Sequence, residues 1–175
     1  MTPDDPRPVS ASRVEMTQLV LPPDTNQHGT IFGGRILQWI DIAGAISAQR
    51  HGRLKVVTAS MDEMHFLVPI KLAEVVVLRA CVNFVHRTSM EVGVRVEREV
   101  PSTGERFHAA TAYLTFVCLD DLGRPTLAPP LQVESEDERR RQREAEMRRA
   151  QRLAHRDALK ALRGETAGGS PHGRG

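Results

Sequence analysis

The chain has 175 residues, a formal net charge of +2 and 40% hydrophobic residues, which fits one globular domain with tails. No stretch approaches the roughly 20 apolar residues of a membrane-spanning helix, and two cysteines, Cys81 and Cys118, are too few for a metal cluster or a disulfide framework. Acidic residues and prolines replace the apolar core of a signal peptide near the N-terminus, so we expect a cytoplasmic protein without a membrane partner.

The first third of the chain predicts an arm, a strand, a loop and a helix. Residues 1–12 contain three prolines and few large apolar residues, so they are predicted to be disordered. Residues 13–21 predict a short strand, and residues 24–34 predict a loop. Residues 35–50 predict a helix that is apolar on every side and therefore buried all round.

Residues 56–119 predict four antiparallel strands with short connections, such as the hairpin turn at residues 87–88. In residues 89–97 apolar and polar residues alternate strictly, which places Glu91 on a face in water. A strand, a buried helix and four strands, in that order, predict an α+β domain over residues 13–130. Its single antiparallel sheet must wrap around one long central helix.

Residues 131–163 predict a charged C-terminal helix, and the glycine-rich residues 164–175 are predicted to be disordered. Ser135 and Glu138 have the spacing of a capping box at the helix start. We expect a solvated helix that lies on the domain or on a partner subunit. The alternative is contact with an anionic surface, such as nucleic acid or ligand phosphates. Acidic residues mixed among the arginines, without interleaved aromatic residues, argue against a nucleic-acid partner.

Asp41 is the first candidate for chemistry. It lies in the middle of the predicted helix between Ile40 and Ile42, where an ionised carboxylate is costly unless it is paired or solvated. One interpretation is that Asp41 bonds to a neighbouring element or lies on an open side of the helix. Alternatively, it is a carboxylate kept in an apolar cleft as a base or nucleophile. The residues alone leave both interpretations open.

Gly33 and Gly34 precede the helix, where free N–H groups and the positive end of the helix dipole point outward. Such a terminus can bind an anion or stabilise an oxyanion, and it is also compatible with a simple tight turn. Asp41 lies about 10 Å along the helix from Gly34 at 1.5 Å per residue. If both groups act on one carbonyl, two subunits must combine them, which predicts a dimer.

The loop before the glycines contains Asn26 and His28. Asn26 can form a turn, or it can orient a water or a carbonyl. His28 could pair with Asp41, although a loop histidine is more often a turn or surface residue. The sequence has no G-x-S-x-G, P-loop or G-x-G-x-x-G motif, so a serine nucleophile, nucleotide hydrolysis and hydride transfer lack support.

Three blocks, residues 22–50, 56–69 and 86–97, resemble the acyl-CoA thioesterase branch of the hotdog superfamily, and the resemblance extends over about residues 13–128. Their order and spacing are more specific than any one motif. The matching positions of the first block are Asn26, Gly29, Gly33, Gly34, Leu37, Asp41, Ala43, Gly44 and Ala45.

The resemblance implies a hotdog fold that dimerises into a continuous sheet, and related proteins commonly assemble further as trimers of dimers. It implies hydrolysis of acyl-CoA to a carboxylic acid and CoA, with no metal and no cofactor. Asp41 would act as general base or nucleophile, and Asn26 of the neighbouring subunit would orient water or substrate. The N–H of Gly33 or Gly34 would polarise the thioester carbonyl.

The resemblance also implies where the substrate binds. Arg87 suits phosphate groups because a guanidinium is a planar, permanently charged fork, although it could equally be a solvated hairpin charge. The implied substrate and CoA contacts are His28, Thr58, Ala59, Ser60, Met64, His65, Phe66, Arg87, Thr88 and Ser89.

Two other functions stay open. A hotdog hydratase or dehydratase acting on enoyl thioesters usually pairs a histidine with an acid, and His28 keeps it in consideration. A non-catalytic acyl-CoA-binding regulator is the third hypothesis, and the presence of both Asn26 and Asp41 argues against it. The sequence does not define the acyl chain length or the size of the oligomer.

Overall fold

A computed structural model describes residues 5–164 of the chain. Its main sheet has five antiparallel strands, which confirms the predicted α+β architecture. Helix α1 spans Gly33–Gly52 and helix α2 spans Glu136–Leu162. The strands of the main sheet are β2 (Val14–Leu19), β3 (Lys55–Met61), β4 (Val75–His86), β5 (Ser89–Val100) and β6 (Glu105–Leu119). Their spatial order in the sheet is β2-β4-β5-β6-β3.

Helix α1 packs on the inner face of the sheet, to which every second residue of each strand contributes. Ile40 of the helix and Leu78 of β4 are fully buried there. At Gly44 the helix and the sheet approach so closely that an added Cβ would lie 3.1 Å from two ring atoms of Phe116. The glycine therefore allows α1 to sit deep in the curled sheet.

The sheet covers only part of α1, so the prediction of a helix buried all round is wrong for the single chain. Leu37 and Ile42 are 38% and 41% exposed, and Val57 of β3 is also exposed. Strand β3 is an edge strand of the sheet. An apolar helix flank beside a free strand edge is a surface that a second subunit can cover.

The N-terminal arm is ordered from residue 5 onward, so the prediction of disorder for residues 1–12 is wrong for residues 5–12. Residues 1–4 lie outside the described part of the chain. Strand β1 (Arg7–Pro8) pairs in parallel with β7 (Leu131–Gln132), and a 3-10 turn follows over Val9–Ser12. The partner strand is more than a hundred residues away, so local composition could not reveal it.

Ser12 attaches this arm to the main sheet. Strand β2 pairs with β4 only as far as Val14 opposite Ala80. Beyond that point the buried Ser12 hydroxyl accepts a 3.0 Å hydrogen bond from the backbone N–H of Val82. A donor that β2 does not reach is thereby satisfied, which explains why this small polar residue is buried.

Helix α2 crosses the outer face of the sheet. Its predicted capping box is confirmed, because the Ser135 hydroxyl accepts from the N–H of Glu138 while the Glu138 carboxylate accepts from the N–H of Ser135. Glu91 is only 2% exposed, so the prediction that it lies on a solvent-exposed face of the sheet is wrong. Arg148 and Arg152 cover Glu91, with ion pairs of 2.7 and 3.0 Å.

Residues 62–74 lie within the region predicted as strands, but they contain no strand of the main sheet. This loop is fixed by isolated backbone hydrogen bonds, from Asp62 to Tyr113 at 2.9 Å and from Leu67 to Ala109 at 2.8 Å. Among residues 5–164, no helix is both long and apolar enough to cross a membrane. Residues 165–175, predicted to be disordered, lie outside the described residues.

Candidate active site

Asp41 is held by a hydrogen bond from the neighbouring strand. Thr58 of β3 donates from Oγ1 to Asp41 Oδ1 at 2.7 Å. The carboxylate is half-buried on the helix flank that the sheet leaves open. No other described residue bonds to Asp41, so Oδ2 is available to a water or a ligand. Asp41 thus has both a partner on another element and access from an open side.

The N-terminus of α1 offers free backbone donors. Gly33 and Gly34 are the first two helical residues, and neither N–H donates a hydrogen bond to another described residue. The ring of Phe32 lies so near that a Cβ added at Gly34 would be 2.7 Å from a ring carbon. These amides lie at the positive end of the helix dipole, where they can polarise a carbonyl oxygen.

A cleft of about 290 Å³ opens beside Gly33. Ile31 and Ile36 line it together with Phe66 and Leu67 of the loop after β3. The structure therefore brings the predicted Phe66 to the glycine end of the site. An apolar cleft beside free amides can accommodate a carbonyl group that is attached to a hydrocarbon chain.

Asn26 closes its own loop. Its Oδ1 accepts a 2.9 Å hydrogen bond from the N–H of His28, and its Nδ2 donates to Thr30 Oγ1 at 3.0 Å. This is the turn-forming arrangement expected of a loop asparagine. No hydrogen bond links Asn26 to Asp41, which agrees with the separation expected from the helix length.

The two predicted histidines lie on the surface. His28 Nε2 is 3.4 Å from Gln27 Nε2, and His65 Nε2 is 3.4 Å from the Glu63 carboxylate. The pairing of His28 with Asp41 is not formed within the described chain. Met64 packs against the core, and Ala59 occupies an irregularity in the pairing of β3 with β6.

Ser60, Thr88 and Ser89 lie away from Asp41, in a cleft of about 370 Å³ between α2 and the β4–β5 hairpin. We refer to this cavity on the outer face of the sheet as the outer cleft. Arg87, predicted to bind phosphate with them, is exposed at the hairpin turn with a φ of 50° and does not line the cleft.

The outer cleft contains residues that the sequence did not single out. Arg149, Arg152 and Arg156 of α2 line it together with His86 of β4. Their spacing of three and four positions places the arginines on one helix face. This spacing is the feature of the sequence that could have indicated them. The sequence did not indicate which part of the sheet that face would cover.

Other buried titratable groups lie outside these sites. Burial lowers the pKa of His51 and raises the pKa of Cys118 to about 11, and both side chains belong to the core. A cavity of about 650 Å³ between β2 and α2 contains none of the predicted site residues. Within residues 5–164, no group of three or more His, Cys, Asp or Glu side chains could hold a metal ion.

Comparison with known proteins gives consistent matches. A family model described as the thioesterase superfamily matches residues 28–105. An uncharacterized acyl-CoA thioester hydrolase of Bacillus subtilis (strain 168) is 48% identical over 127 residues, which are 73% of this chain and 74% of that protein. The cytosolic acyl coenzyme A thioester hydrolase of Homo sapiens is 35% identical over 154 residues, but this chain spans only 40% of its length.

Three similar solved structures match over nearly their whole length. The acyl-CoA hydrolase of Bacillus cereus has a TM-score of 0.85 at 39% identity, with 90% of this chain and 96% of that chain covered. A hexameric acyl-CoA thioesterase without ligand has a TM-score of 0.83 at 40% identity, with 86% of this chain and 97% of that chain covered. The acyl-CoA hydrolase of Staphylococcus aureus in complex with butyryl-CoA, CoA and CoA disulfide has a TM-score of 0.79 at 35% identity. The match covers 89% of this chain and 98% of that chain. Variants of that enzyme with one Asp, one Thr or one Asn replaced by Ala are also similar.

Fold and sequence lead to the same family. The five-stranded antiparallel sheet curled around α1 confirms the hotdog architecture that the three sequence blocks predicted. The Bacillus subtilis and Bacillus cereus relatives are acyl-CoA hydrolases by name, and the matches cover 74% and 96% of their chains. The chain therefore belongs to the acyl-CoA thioester hydrolase family of the hotdog-fold thioesterase superfamily.

Proposed function

We propose that the chain hydrolyses the thioester of acyl-CoA to a carboxylic acid and CoA. The observation that carries the proposal is the half-buried carboxylate of Asp41, held by Thr58 on an open helix flank. A carboxylate with one fixed and one available oxygen is suited to act as a base or a nucleophile. The names of the similar bacterial proteins support this activity.

Each step of the hydrolysis has a candidate group. As general base, Asp41 takes a proton from a water whose oxygen attacks the thioester carbonyl. The C–S bond then breaks, and Asp41 returns this proton to the sulfur, so that CoA leaves as the thiol. As nucleophile, Asp41 attacks the carbonyl itself, and the C–S bond breaks to release CoA as the thiolate. Water then hydrolyses the mixed anhydride, which frees the carboxylic acid and the Asp41 carboxylate, and the proton released goes to CoA. In either route the N–H of Gly33 or Gly34 stabilises the developing oxyanion, and Asn26 orients the water or the carbonyl.

The active site of this proposal is shared between two subunits. Asp41 lies about 10 Å along α1 from Gly34, and Asn26 is hydrogen-bonded within its own loop. Asn26 and the glycine amides of one subunit therefore act with Asp41 of another. The exposed Leu37 and Ile42 and the edge strand β3 supply a contact surface. In our proposal a dimer is the minimal active unit within a trimer of dimers, and the name of a similar thioesterase as hexameric supports an oligomer.

The Staphylococcus aureus relative supports the choice of residues and of substrate. The Asn, Asp and Thr replaced in its variants are 15 and 17 residues apart in that order, and Asn26, Asp41 and Thr58 have the same spacing. That enzyme was solved with butyryl-CoA and CoA. In our proposal Thr58 is a positioning residue, because it orients the carboxylate of Asp41.

We further propose that the reaction needs no metal or other cofactor, because Asp41 and the helix amides supply a base and oxyanion stabilisation. A cytoplasmic location is also proposed, and the name of the human relative as a cytosolic enzyme supports it. The hydratase alternative requires His28 to act with an acid. In the described chain His28 contacts Gln27 instead, so no observation favours that activity.

Asp41→Asn tests the proposed activity. The wild-type protein should release free thiol from acyl-CoA substrates in a chain-length series. The variant keeps the size of the side chain but cannot accept a proton, so we expect kcat to fall by about 100-fold or more while CoA still binds. Asp121→Asn, at a fully exposed site, is the matched control with unchanged turnover.

Unchanged hydrolysis by the Asp41→Asn protein would refute the role of this carboxylate. Addition of water to an enoyl-CoA without release of thiol would support the hydratase instead. Tight binding of acyl-CoA by the wild-type protein without turnover would support the non-catalytic regulator.

A further inference from the structure

The outer cleft brings arginines of α2 close to the hairpin segment predicted to bind CoA. Thr88 and Ser89 line one side of the cleft, and Arg149 and Arg156 line the other. Only the hairpin side carries residues for which the sequence suggested a ligand. The opposite side belongs to the charged helix, whose role the sequence left open between a solvated surface and contact with an anion.

The charge of the outer cleft is not balanced. Arg152 is paired with Glu91 at 3.0 Å and with Asp62 at 2.5 Å. Arg149, by contrast, has no carboxylate partner among the described residues, and its Nη2 lies 3.1 Å from Nδ1 of His86. A partly buried guanidinium without a counter-charge favours an anionic ligand, because each N–H then forms a charge-assisted hydrogen bond.

Neutral donors lie beside these charges. The His86 ring faces Arg149, and whenever its Nδ1 accepts a hydrogen bond from the guanidinium, its Nε2–H is a second donor. The Thr88 hydroxyl forms no hydrogen bond with another residue of the described chain. Arg156 is paired only with the adjacent Asp157, and both side chains are more than half exposed. Planar guanidinium groups, a hydroxyl and an imidazole form a donor set that suits phosphate oxygens.

Strand β3 connects the outer cleft with the carboxylate of the candidate active site. Thr58 donates to Asp41, whereas Ser60, two positions further, lines the outer cleft. At about 3.3 Å per residue the two positions are about 7 Å apart along the strand. The irregularity at Ala59 separates the two, so Thr58 faces α1 and Ser60 faces the outer cleft. Because β3 is an edge strand, one ligand can pass around it, with its reacting group beside Asp41 and a long arm that ends in the outer cleft.

We infer that the outer cleft binds the phosphate groups of the acyl-CoA substrate through Arg149 and Arg156 of α2. This inference rests on the proposed thioesterase function and names the residues that recognise the CoA part of the substrate. Because the arginines contact phosphate and not the thioester, they contribute to affinity for every acyl-CoA and leave the chemical step unchanged.

The test compares an acyl-CoA with the acyl-pantetheine thioester of the same acid, which has no phosphate. Arg149→Gln should raise KM for acyl-CoA about tenfold, because one charge-assisted hydrogen bond is lost. Its kcat should change less than about twofold, and kcat/KM for the acyl-pantetheine should stay the same. Arg156→Gln should act in the same direction. Arg139→Gln, on the same helix but paired with Glu136 outside the cleft, is the matched control.

An equal rise of KM for both substrates would assign Arg149 a purely structural role and overturn the inference. An unchanged KM for acyl-CoA in both variants would overturn it as well. If Arg149→Gln does not fold, the exposed Arg156→Gln decides the question. Should the wild-type protein hydrolyse neither thioester, the proposed function fails. The outer cleft is then tested by equilibrium binding of CoA against pantetheine to the same variants.

Discussion

The two faces of the sheet are packed by different physical means. On the inner face, α1 is held by fully buried aliphatic and aromatic side chains such as Ile40 and Phe116. On the outer face, α2 is held mainly by arginines: Arg148 lies 3.5 Å from the ring centroid of Tyr113 and also binds the buried Glu91. A helix with few apolar residues can therefore be fixed to a sheet when guanidinium groups provide both packing and charge.

This difference corresponds to a division of tasks in the proposed enzyme. The apolar helix positions the reacting carboxylate and the oxyanion donors, which require a fixed geometry. The charged helix supplies groups that recognise a distant, charged part of the substrate. Changes on the inner face should therefore alter stability, whereas changes on the outer face should alter stability less and affinity more.

Ile40→Ala should cause the largest loss of stability. Ile40 is fully buried between α1 and the sheet, so the truncation removes contacts and leaves a cavity, at a cost of about 4 kcal/mol. Leu159→Ala, at an exposed position of α2, should cost less than about 1 kcal/mol and is the control. Denaturant unfolding measures both values. Equal losses in the two variants would contradict the difference between the faces.

Glu91→Ala should cause an intermediate loss of stability, because it leaves Arg148 without its buried partner. We expect about 2 kcal/mol, less than for an isolated buried pair, since Arg152 keeps its ion pair with Asp62. Glu144→Ala removes an exposed partner of Arg140 and should cost at most about 0.5 kcal/mol. The same unfolding experiment compares them. If Glu91→Ala costs no more than the control, other contacts must hold α2.

Glu138→Gln should have the smallest effect on the free energy of unfolding, and this effect should depend on pH. Burial alone would raise the pKa of Glu138, but the N–H groups of Glu134 and Ser135 and the charge of Arg13 outweigh it and hold this pKa below its ordinary value of 4.5. The ionised carboxylate therefore stabilises the fold above about pH 4.5, and this contribution is lost as the pH falls through the lower folded-state value.

At pH 7 the Glu138→Gln protein should be less stable than the wild type by about 1 kcal/mol, the contribution of hydrogen bonds to a charged group. The difference should shrink as the pH falls below 4.5. Unfolding curves at pH 7, 5 and 3 measure it. A difference that stays constant over this range would show that the charge of Glu138 is not involved.

The sequence predicted the inner face well because its signals are local. The alternation in β5, the continuous apolar composition of α1 and the two glycines at its start each reflect the structure of a single element. Asp41 was chosen as a candidate for the same reason, since a carboxylate in an apolar helix stands out. Its partner Thr58 was predicted only as a substrate contact, because the sequence does not fix the register between α1 and β3.

The outer face was predicted poorly because its contacts join distant parts of the chain. The alternation placed Glu91 in water, and only the arginines of α2 bury it. Residues 5–12 lack a core-forming composition, yet pairing with β7 orders them. Arg149 was missed because one arginine among many has no distinguishing local signal until the helix is docked on the sheet.

The parallel pair of β1 and β7 has a consequence for folding during synthesis. Arg7 pairs with Leu131, so the ribosome makes one strand of this pair long before the other. The arm cannot complete its pairing until most of the domain has been translated. Contacts between such distant positions are slow to form. Pairing of β1 with β7 is therefore a late event, and a nascent chain that stalls before residue 131 leaves the arm without its partner strand.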